Sequence, residues 1–536
     1  MAATTGATAR RGRSRRPAPR RSRDSSKTWG TCDATERPLP GYRRAAHRPL
    51  LDLRLRARDD ADDDEAGRGG VRYDNAFAPS IWTPTVHGAI FTGKYPSHTG
   101  IYGNSLGIPD DLETLPEAMK RQGYRTFAAS AGAHIRKSRG YARGADDYVE
   151  TRRIGADLDF AQKVLGDRSF AKQVGFTLTR GPDDKTRYKY DRLERFVDDA
   201  ADDGDPFFGF INAKTAHQPF NPPRPYKRMF TEGLERPRWE VLERAMEAIG
   251  RQAQDLPGHD IEKLRQVSHS GGDGVFAGEV EMSDEEWAVI EAWYDGAVRY
   301  LDDLIGELMA FLESKGVYED TMVVVTSDHG DNFGDHGGLT SHIFSLYDTL
   351  LHVPLVIKPP RSGSGTGDGA AGDAAPAGKR IDNQMSLVDL HPTFLEAAGE
   401  TPPDYDLTES LLGFEDRRYH DYTFAEYAGF DGPIERLQRK YPDFDATRFA
   451  RPLQAVRDDE HKLIVTGALE GDHDRELYAW REDPDETNDL LGERPEVADE
   501  LLGVMRDTLE PLDDAGEFEV PDDEELEEQL KDLGYL

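Results

Sequence analysis

The chain has 536 residues, of which 102 are acidic and 67 basic, and its formal net charge at pH 7 is −35. This charge disfavours nucleic acids and anionic membranes as partners, because phosphate groups are held by clustered cations, and it is typical of halophilic proteins kept soluble at high salt. The single cysteine, Cys32, excludes an internal disulfide framework and a cysteine-based zinc module.

The first 68 residues differ in composition from the rest of the chain. They contain 16 arginines and one lysine against 10 acidic residues, a net charge of +7, whereas the rest carries −42. We interpret residues 1–68 as a basic, disordered segment; out-of-frame translation of a GC-rich gene and genuine divergence are the alternatives. The segment lacks the apolar core of a secretory signal, and the chain has no run of about 18 apolar residues that could span a membrane. We therefore expect a cytoplasmic protein.

From Val71 onwards the sequence has the patterns of a globular enzyme. Helices are predicted over Thr83–Thr92, Leu115–Gln122 and Glu285–Lys315, and apolar strands over GYRTFAAS, Phe207–Ile211, Met322–Val325 and Val353–Ile357. This alternation predicts an α/β fold with a mainly parallel central sheet, helices on both faces and a smaller C-terminal α+β part. We expect residues 69–400 to form a catalytic domain, and residues 401–536 a C-terminal subdomain that ends in an acidic helix.

The segment TSDHGDNFGDHGG, residues 326–338, is the strongest candidate for a metal site. Asp328 and His329 directly follow an apolar strand, and ligands of open α/β sheets bind at the carboxyl ends of strands. Adjacent carboxylate and imidazole groups reach one ion only where the backbone turns sharply, and Gly330 permits such a turn. The alternative is a strand-end aspartate that caps the next helix, beside a surface histidine. The other acidic and histidine residues of the segment are interpreted as organising the loop.

This segment, read as VVVTSDHGDNFGDHGG and followed by YDTLLHVPLVI, resembles the metal-site motif of the sulfatase family in the alkaline-phosphatase superfamily. Other segments resemble further motifs of that family in the same order: SIWTPTVHGAIFTGKYPSHTGIYGN, GYRTFAASAGAHI, INAKTAHQPFNPP, SLVDLHPTFLEAAGETPP and ELYAWREDPDETNDLL. The resemblance spans residues 71–536. It implies an alkaline-phosphatase-like fold and a metal-dependent hydrolase of small anionic sulfate or phosphate esters.

The resemblance also implies the main site residues. Asp328 and His329 would bind one divalent cation; Ca²⁺ is most typical of the family, and the donor atoms also allow Mg²⁺, Mn²⁺ or Zn²⁺. Thr83 stands at the nucleophile position and would be a metal ligand too. Sulfatases proper have Cys or Ser there, which is oxidised to formylglycine; threonine cannot form that aldehyde but can attack as a metal-activated alkoxide. The structural alternative for Thr83 is a helix N-cap followed by Pro84.

The remaining candidates are four histidines and a lysine. The resemblance implies catalytic roles for His217 and His342, and substrate binding by His87, Lys94 and His134. His87 replaces an arginine that supports the nucleophile in the family, and His342 lies beside the position of a family lysine and could protonate a leaving oxygen. Each also has a structural interpretation, as a histidine bonded to neighbouring backbone or as a surface lysine.

The second half of the expected metal site is missing from the sequence. Family members begin with an apolar strand that ends in one or two aspartates, whereas the corresponding window here, residues 30–44, reads GTCDATERPLPGYRR. Two alternative functions therefore stay open. Threonine at the nucleophile position favours a phosphodiesterase or phosphonate monoester hydrolase, and the missing strand favours a catalytically inactive or truncated homologue. The oligomeric state and natural substrate also stay open.

Overall fold

The computed structural model describes residues 3–9, 70–103, 105–130, 134–151, 185–230, 272–360, 378–402, 407–414, 418–429, 431–445 and 449–512, with scattered positions in 172–183 and 263–267. Most of the predicted basic segment and the predicted acidic tail helix lie outside these residues.

The central sheet is mixed. The first ten strands are β1 (Ala3–Ala9), β2 (Val71–Phe77), β3 (Arg125–Ser130), β4 (Asp147–Glu150), β5 (Phe207–Ala213), β6 (Thr321–Ser327), β7 (Asn332–Gly334), β8 (Leu339–Ser341), β9 (His352–Lys358) and β10 (Arg380–Ser386). β7 and β8 form a hairpin, and the others form one sheet in the order β10-β2-β9-β6-β1-β5-β3-β4. β9 and β1 run opposite to the other six strands. The prediction of a mainly parallel sheet is corrected accordingly, since two antiparallel strands lie at its centre.

Three of the seven longer helices in the described residues were predicted from the sequence, and their bounds agree with the predictions to within one residue. They are α1 (Thr83–Thr92), α2 (Leu115–Arg121), α3 (Thr186–Asp203), α4 (Asp284–Lys315), α5 (Leu390–Ala397), α6 (Asp431–Lys440) and α7 (Pro495–Thr508). Short helical turns cover Pro96–Thr99, Lys137–Arg139, Tyr226–Met229, Asp273–Phe276, Asp335–Gly338, Asp348–Leu351 and Leu387–Asp389. The 32-residue helix α4 begins with a capping box between Ser283 and Glu286 and ends at Gly316, with φ 70°, where glycine is the least strained residue. No helix in the described ranges is long and apolar enough to cross a bilayer.

Helices cover both faces of the central sheet, as predicted. Val323 and Val325 of β6 pack in a cluster with α3 and α4, whereas Met322 and Val324 pack in another with α1, α2 and α5. This division follows from the alternation of side chains along a strand. All seven residues of β6 are buried, and burial of each valine stabilises the fold by roughly 1.5–3 kcal/mol. The carboxyl end of β6 is thereby fixed between two helical layers.

A second sheet lies in the C-terminal part. It is antiparallel and contains β11 (Thr423–Tyr427), β12 (Leu453–Arg457), β13 (Lys462–Gly467) and β14 (His473–Tyr478) in chain order. Val456, Leu463 and Val465 pack in one cluster with Leu501 and Met505 of α7. The predicted C-terminal α+β part is present; the predicted boundary at residue 400 stays a prediction.

A buried carboxyl group joins this second sheet to the helical turn Pro96–Thr99. Glu426 of β11 is fully buried and accepts hydrogen bonds from the Ser97 amide at 2.9 Å and from Gln454 at 2.9 Å. Burial raises the pKa of Glu426 from 4.5 to about 7. Between pH 4.5 and about 7, Glu426 therefore keeps its proton in the folded chain but has released it in the unfolded chain. The free energy of unfolding consequently falls as the pH rises through this range.

We expect Glu426→Gln to remove part of this pH dependence. The free energy of unfolding of the native chain should fall by about 3 kcal/mol more than that of the variant between pH 4.5 and 7. Urea unfolding at several pH values measures the difference. The pKa of Glu486 is also raised to about 7 by burial. Because Glu486 is present in both proteins, its contribution to the pH dependence cancels in the difference between them. Equal slopes for the two proteins would show that Glu426 ionises normally in the fold.

Candidate active site

Thr83 is the first residue of helix α1. The preceding Trp82 has an extended backbone and occupies the N-cap position, and no side chain caps the helix. The alternative interpretation of Thr83 as the N-cap is therefore wrong. Its hydroxyl instead lies 3.1 Å from His329 Nε2. The N-terminus of a helix carries a partial positive charge, so Thr83 stands where an anion is favourably bound.

Asp328 and His329 follow β6 and are completely buried. His329 Nδ1 lies 2.9 Å from the Gly330 carbonyl oxygen, which can only accept, so Nδ1 carries the proton. In the neutral ring Nε2 then has a lone pair, and this atom faces Thr83 and lies 3.6 Å from Asp328 Oδ2. Burial lowers the pKa of His329 to about 4. The ring is therefore neutral at pH 7 and can accept a proton from Thr83 or bind a cation.

Gly330 is required by crowding. A Cβ atom at this position would lie 2.0 Å from the Thr349 carbonyl oxygen, and its amide donates to the Leu350 carbonyl at 2.8 Å. Its φ is not among the positive values that favour glycine. We predicted that Gly330 is needed for a sharp turn that other residues adopt with difficulty, and this is wrong. Glycine is needed because the loop packs closely against the turn Asp348–Leu351, which leaves no room for a side chain.

Three more predicted histidines meet at this point. The ring of His342 stacks on that of His329 with centroids 4.2 Å apart, and the ring of His217 lies 4.8 Å from His342. The indole of Trp82 contacts His134 at 5.0 Å and His342 at 5.8 Å. Burial lowers the pKa of His134 and of His217 well below the usual range. The structure thus places Thr83 among imidazoles that are mostly neutral.

Asp331 is a site residue that the sequence interpretation missed. Its Oδ1 lies 3.2 Å from His342 Nδ1, and both side chains are buried. The hairpin β7–β8 explains the contact, because Asn332 pairs with Ser341 and so brings the flanking residues 331 and 342 together. The carboxylate accepts the Nδ1 proton and directs Nε2 of His342 away from the loop. The glycines between the two segments were a hairpin signal that could have revealed this pairing.

The other two predicted residues lie on α1. His87 is buried one turn after Thr83; its Nδ1 donates to the Thr83 carbonyl at 2.7 Å and lies 3.9 Å from Asp328 Oδ2. Lys94 follows the C-cap Gly93, at the opposite end of a helix about 15 Å long. The structure thus brings His87 beside Asp328 and places Lys94 away from Thr83. Their substrate-binding roles stay predictions.

Three donor atoms fit one side of a divalent cation. His329 Nε2 lies 3.1 Å from Thr83 Oγ1 and 3.6 Å from Asp328 Oδ2. Metal-bound histidines commonly donate their other N–H to a carbonyl, as His329 does. Within the described ranges, however, no group of three or more His, Cys, Asp or Glu residues could hold a metal. Strand β1, which lies beside β6, has the sequence ATTGATA without a carboxylate. A third histidine or carboxylate ligand would therefore come from outside the described residues.

The fold and these residues agree with a comparison with known families. The family model described as Sulfatase matches residues 57–400, more than half of the chain. The chain belongs to the sulfatase family. This sulfatase-family chain is 22% identical over 465 residues to the uncharacterized sulfatase YidJ of Escherichia coli strain K12, a match that covers 84% of the chain and 82% of YidJ.

Two solved structures share the fold of this sulfatase-family chain. One is a phosphonate monoester hydrolase of Agrobacterium radiobacter, with a TM-score of 0.60 and 19% identity over 86% of this chain and 91% of that one. The other is BT4656 in complex with its substrate D-glucosamine-2-N,6-O-disulfate, with a TM-score of 0.57 and 19% identity over 86% and 92% of the two chains. The predicted sulfatase-like α/β fold is confirmed. The sulfatase family is a family of hydrolases that are typically metal-dependent.

Proposed function

We propose that this sulfatase-family chain hydrolyses small anionic phosphonate, phosphate or sulfate esters, with Thr83 as the nucleophile. The observation that carries the proposal is the partly buried Thr83 side chain, whose hydroxyl lies at a helix N-terminus and 3.1 Å from a neutral imidazole nitrogen of His329. Because threonine cannot be oxidised to formylglycine, we place phosphonate and phosphate esters before sulfate esters.

The surrounding residues suit an in-line displacement. The N-terminus of α1 presents amide N–H groups to the ester anion. Thr83 loses its hydroxyl proton to solvent, and its Oγ forms a bond to phosphorus or sulfur while the bond to the leaving oxygen breaks. A water molecule later attacks the same atom, the bond to Thr83 Oγ breaks, and a proton from that water returns to Oγ. His342, whose Nδ1–H is held by Asp331, can give a proton from Nε2 to the leaving oxygen only when both of its ring nitrogens are protonated. We assign His217 and His134 to contacts with the ester.

We also propose that one divalent cation binds at Thr83, Asp328 and His329. Such an ion would lower the pKa of the Thr83 hydroxyl and neutralise charge on the ester oxygens. The mixed oxygen and nitrogen donors suit Mn²⁺ or Zn²⁺ as well as Ca²⁺ or Mg²⁺.

A substrate panel tests this function and its metal dependence. We expect the purified chain to cleave p-nitrophenyl phenylphosphonate and bis(p-nitrophenyl) phosphate faster than p-nitrophenyl sulfate. EDTA should abolish the rate, and each divalent cation should be added back separately to identify the metal. Faster cleavage of the sulfate ester would overturn the substrate order, and a rate that survives EDTA would overturn the metal site.

One observation favours the alternative of an inactive homologue. The strand beside the Asp328–His329 end of β6 is β1, whose sequence contains no acid and whose direction is opposite to its neighbours. In that case the chain would at most bind an anion. We propose that residues 1–68 are translated out of frame, which would explain why strand β1 carries no acidic residue. Sequencing the 5′ end of the gene tests it: another frame should encode an apolar strand that ends in aspartate and joins before Val71.

A further inference from the structure

Lys214 is a lysine beside the candidate active site that has no role in the chemistry above. It directly follows Ala213, the last residue of β5, and its carbonyl oxygen accepts a hydrogen bond from the His217 amide at 2.8 Å. This tight turn places Lys214 on the same loop as one of the site histidines. The lysine side chain is neither fully buried nor fully exposed, which suits a residue at the rim of a site that a substrate enters from solvent.

The sheet register brings Lys214 level with Asp328. Strand β1 lies between β5 and β6 and is antiparallel to both, and its Ala3 lies opposite Ala213 on one side and Ser327 on the other. Because β5 and β6 therefore continue in the same direction, the next residues, Lys214 and Asp328, are at the same height. Adjacent strands are about 4.8 Å apart, so the backbones of these two residues are separated by roughly 10 Å.

Lys214 also follows the strand on the face that α1 covers. Phe210 of β5 packs in the cluster that contains residues of α1 and α2, whereas Phe207 and Ile211 pack in the cluster on the other face. The ring of Phe210 lies 5.5 Å from that of His87 on α1. Since side chains alternate along a strand, the position four residues after Phe210 returns to this face. Lys214 is thereby placed on the side of the sheet where α1 carries the nucleophile.

The charge of Lys214 acts on two imidazoles of the site. Burial is the main reason for the low pKa of His134 and of His217, and the positive charge of Lys214 contributes to the lowering at both. Its ammonium group therefore lies near both rings. The ring of His217 in turn lies 4.8 Å from His342 and 6.5 Å from His329. This series of contacts places the lysine beyond His217, across the site from the proposed metal ligands.

An anionic ester at Thr83 requires positive charge on this side of the site. The carboxylates of Asp328 and Asp331 lie within the site, and its buried imidazoles are mostly neutral. Lys94, the lysine that the sequence suggested for substrate binding, lies at the other end of α1. A lysine ammonium is a compact positive charge with three N–H donors, and Lys214 supplies such a group where the register places it opposite Asp328.

We propose that Lys214 binds the ester anion through a non-bridging oxygen, so that the phosphorus or sulfur atom is held between this ammonium group and the cation proposed at Asp328 and His329. The inference rests on the proposed function, because the anionic ester at Thr83 is the ligand. Lys214 is a substrate-binding residue in this arrangement and transfers no proton.

Binding of phenylphosphonate, the product of the assay ester, tests this contact without turnover. Lys214→Met should weaken binding by at least about tenfold, the equivalent of one hydrogen bond to a charged group. Lys214→Arg keeps the charge and should restore most of the affinity. Isothermal titration calorimetry, with a divalent cation added, measures the dissociation constants. Lys120→Met removes the same charge from an exposed position on α2 and should bind phenylphosphonate as the native chain does.

Steady-state kinetics distinguishes binding from a structural role. For p-nitrophenyl phenylphosphonate, Lys214→Met should raise KM more than it lowers kcat, because the contact is made in the bound substrate as well as in the transition state. If the native chain binds no phenylphosphonate, or if Lys214→Met binds it as tightly or Lys120→Met as weakly as the other, the inference is overturned even when the ester is hydrolysed. If binding depends on Lys214 and no ester is cleaved, the inference holds and the hydrolase proposal fails.

Discussion

Replacement of Thr83 by valine is expected to reduce kcat on the preferred ester by at least about 1,000-fold, because the nucleophile is removed while the shape of the side chain is kept. Valine also removes the hydrogen bond to His329 Nε2, which lies at 3.1 Å. The rate of p-nitrophenol release from p-nitrophenyl phenylphosphonate measures the loss of kcat.

Thr83→Ser is the matched control for this prediction. Serine keeps the hydroxyl at the N-terminus of α1, so we expect the serine variant to retain activity within about tenfold of the native chain. Thermal unfolding of both variants shows whether the fold is intact. Equal rates for the valine variant and the native chain would mean that another residue performs the attack.

The second large effect concerns a buried ionic network between the loop after His342 and the second sheet. Asp348 is paired with Arg457, and it also accepts from Lys462 at 2.8 Å; Lys462 in turn donates to Glu486 at 2.6 Å. The guanidinium carbon of Arg457 lies 3.6 Å from the centre of the Phe77 ring. Although burial acts to raise it, Arg457 and Lys462 hold the pKa of Asp348 well below its usual range.

We expect Lys462→Met to destabilise the chain by about 3–5 kcal/mol, because it leaves a buried carboxylate without its partner. Urea unfolding at pH 7 measures the change. The double variant Lys462→Met with Glu486→Gln should recover part of the loss, since the charge on Glu486 is removed together with that of Lys462.

An exposed pair on the same sheet serves as the reference. Arg475 on β14 contacts Asp499, whose side chain is 70% exposed, so Arg475→Met should change stability by less than about 1 kcal/mol. Similar losses for Lys462→Met and Arg475→Met would show that the buried network contributes no more than a surface ion pair.

Local structure was largely predictable from the sequence because periodicity and caps are local signals. Helix α4 was predicted one residue short, and the strand that carries Asp328 was located by its apolar run. The direction of β9 was not predictable in this way, because an apolar strand reads the same in both directions. The ordered motifs compensated for this in part, since they placed residues 83, 217, 328 and 342 in one site before any geometry was known.

The contacts that connect distant segments were harder to predict. Asp331 appeared to be a loop residue, and only the β7–β8 register places it beside His342. Thr83 was considered as a helix cap, but the extended backbone of Trp82 shifts the cap by one residue. Lys94 was predicted at the site from its motif, yet the rigid length of α1 places it at the other end. In each case the position of the residue depended on tertiary contacts, which residue type and spacing in the sequence do not determine.

The central claim is that Thr83 forms a covalent ester with the substrate, and an acid-quench experiment tests it most directly. The metal-loaded chain is mixed with p-nitrophenyl phenylphosphonate, quenched within the first turnover and digested, and the peptide containing Thr83 is weighed by mass spectrometry. We predict a phenylphosphonyl adduct on Thr83 that is lost in Thr83→Val. Turnover with the adduct on another residue, or with no adduct under conditions that trap a known threonine or serine ester, would contradict the account.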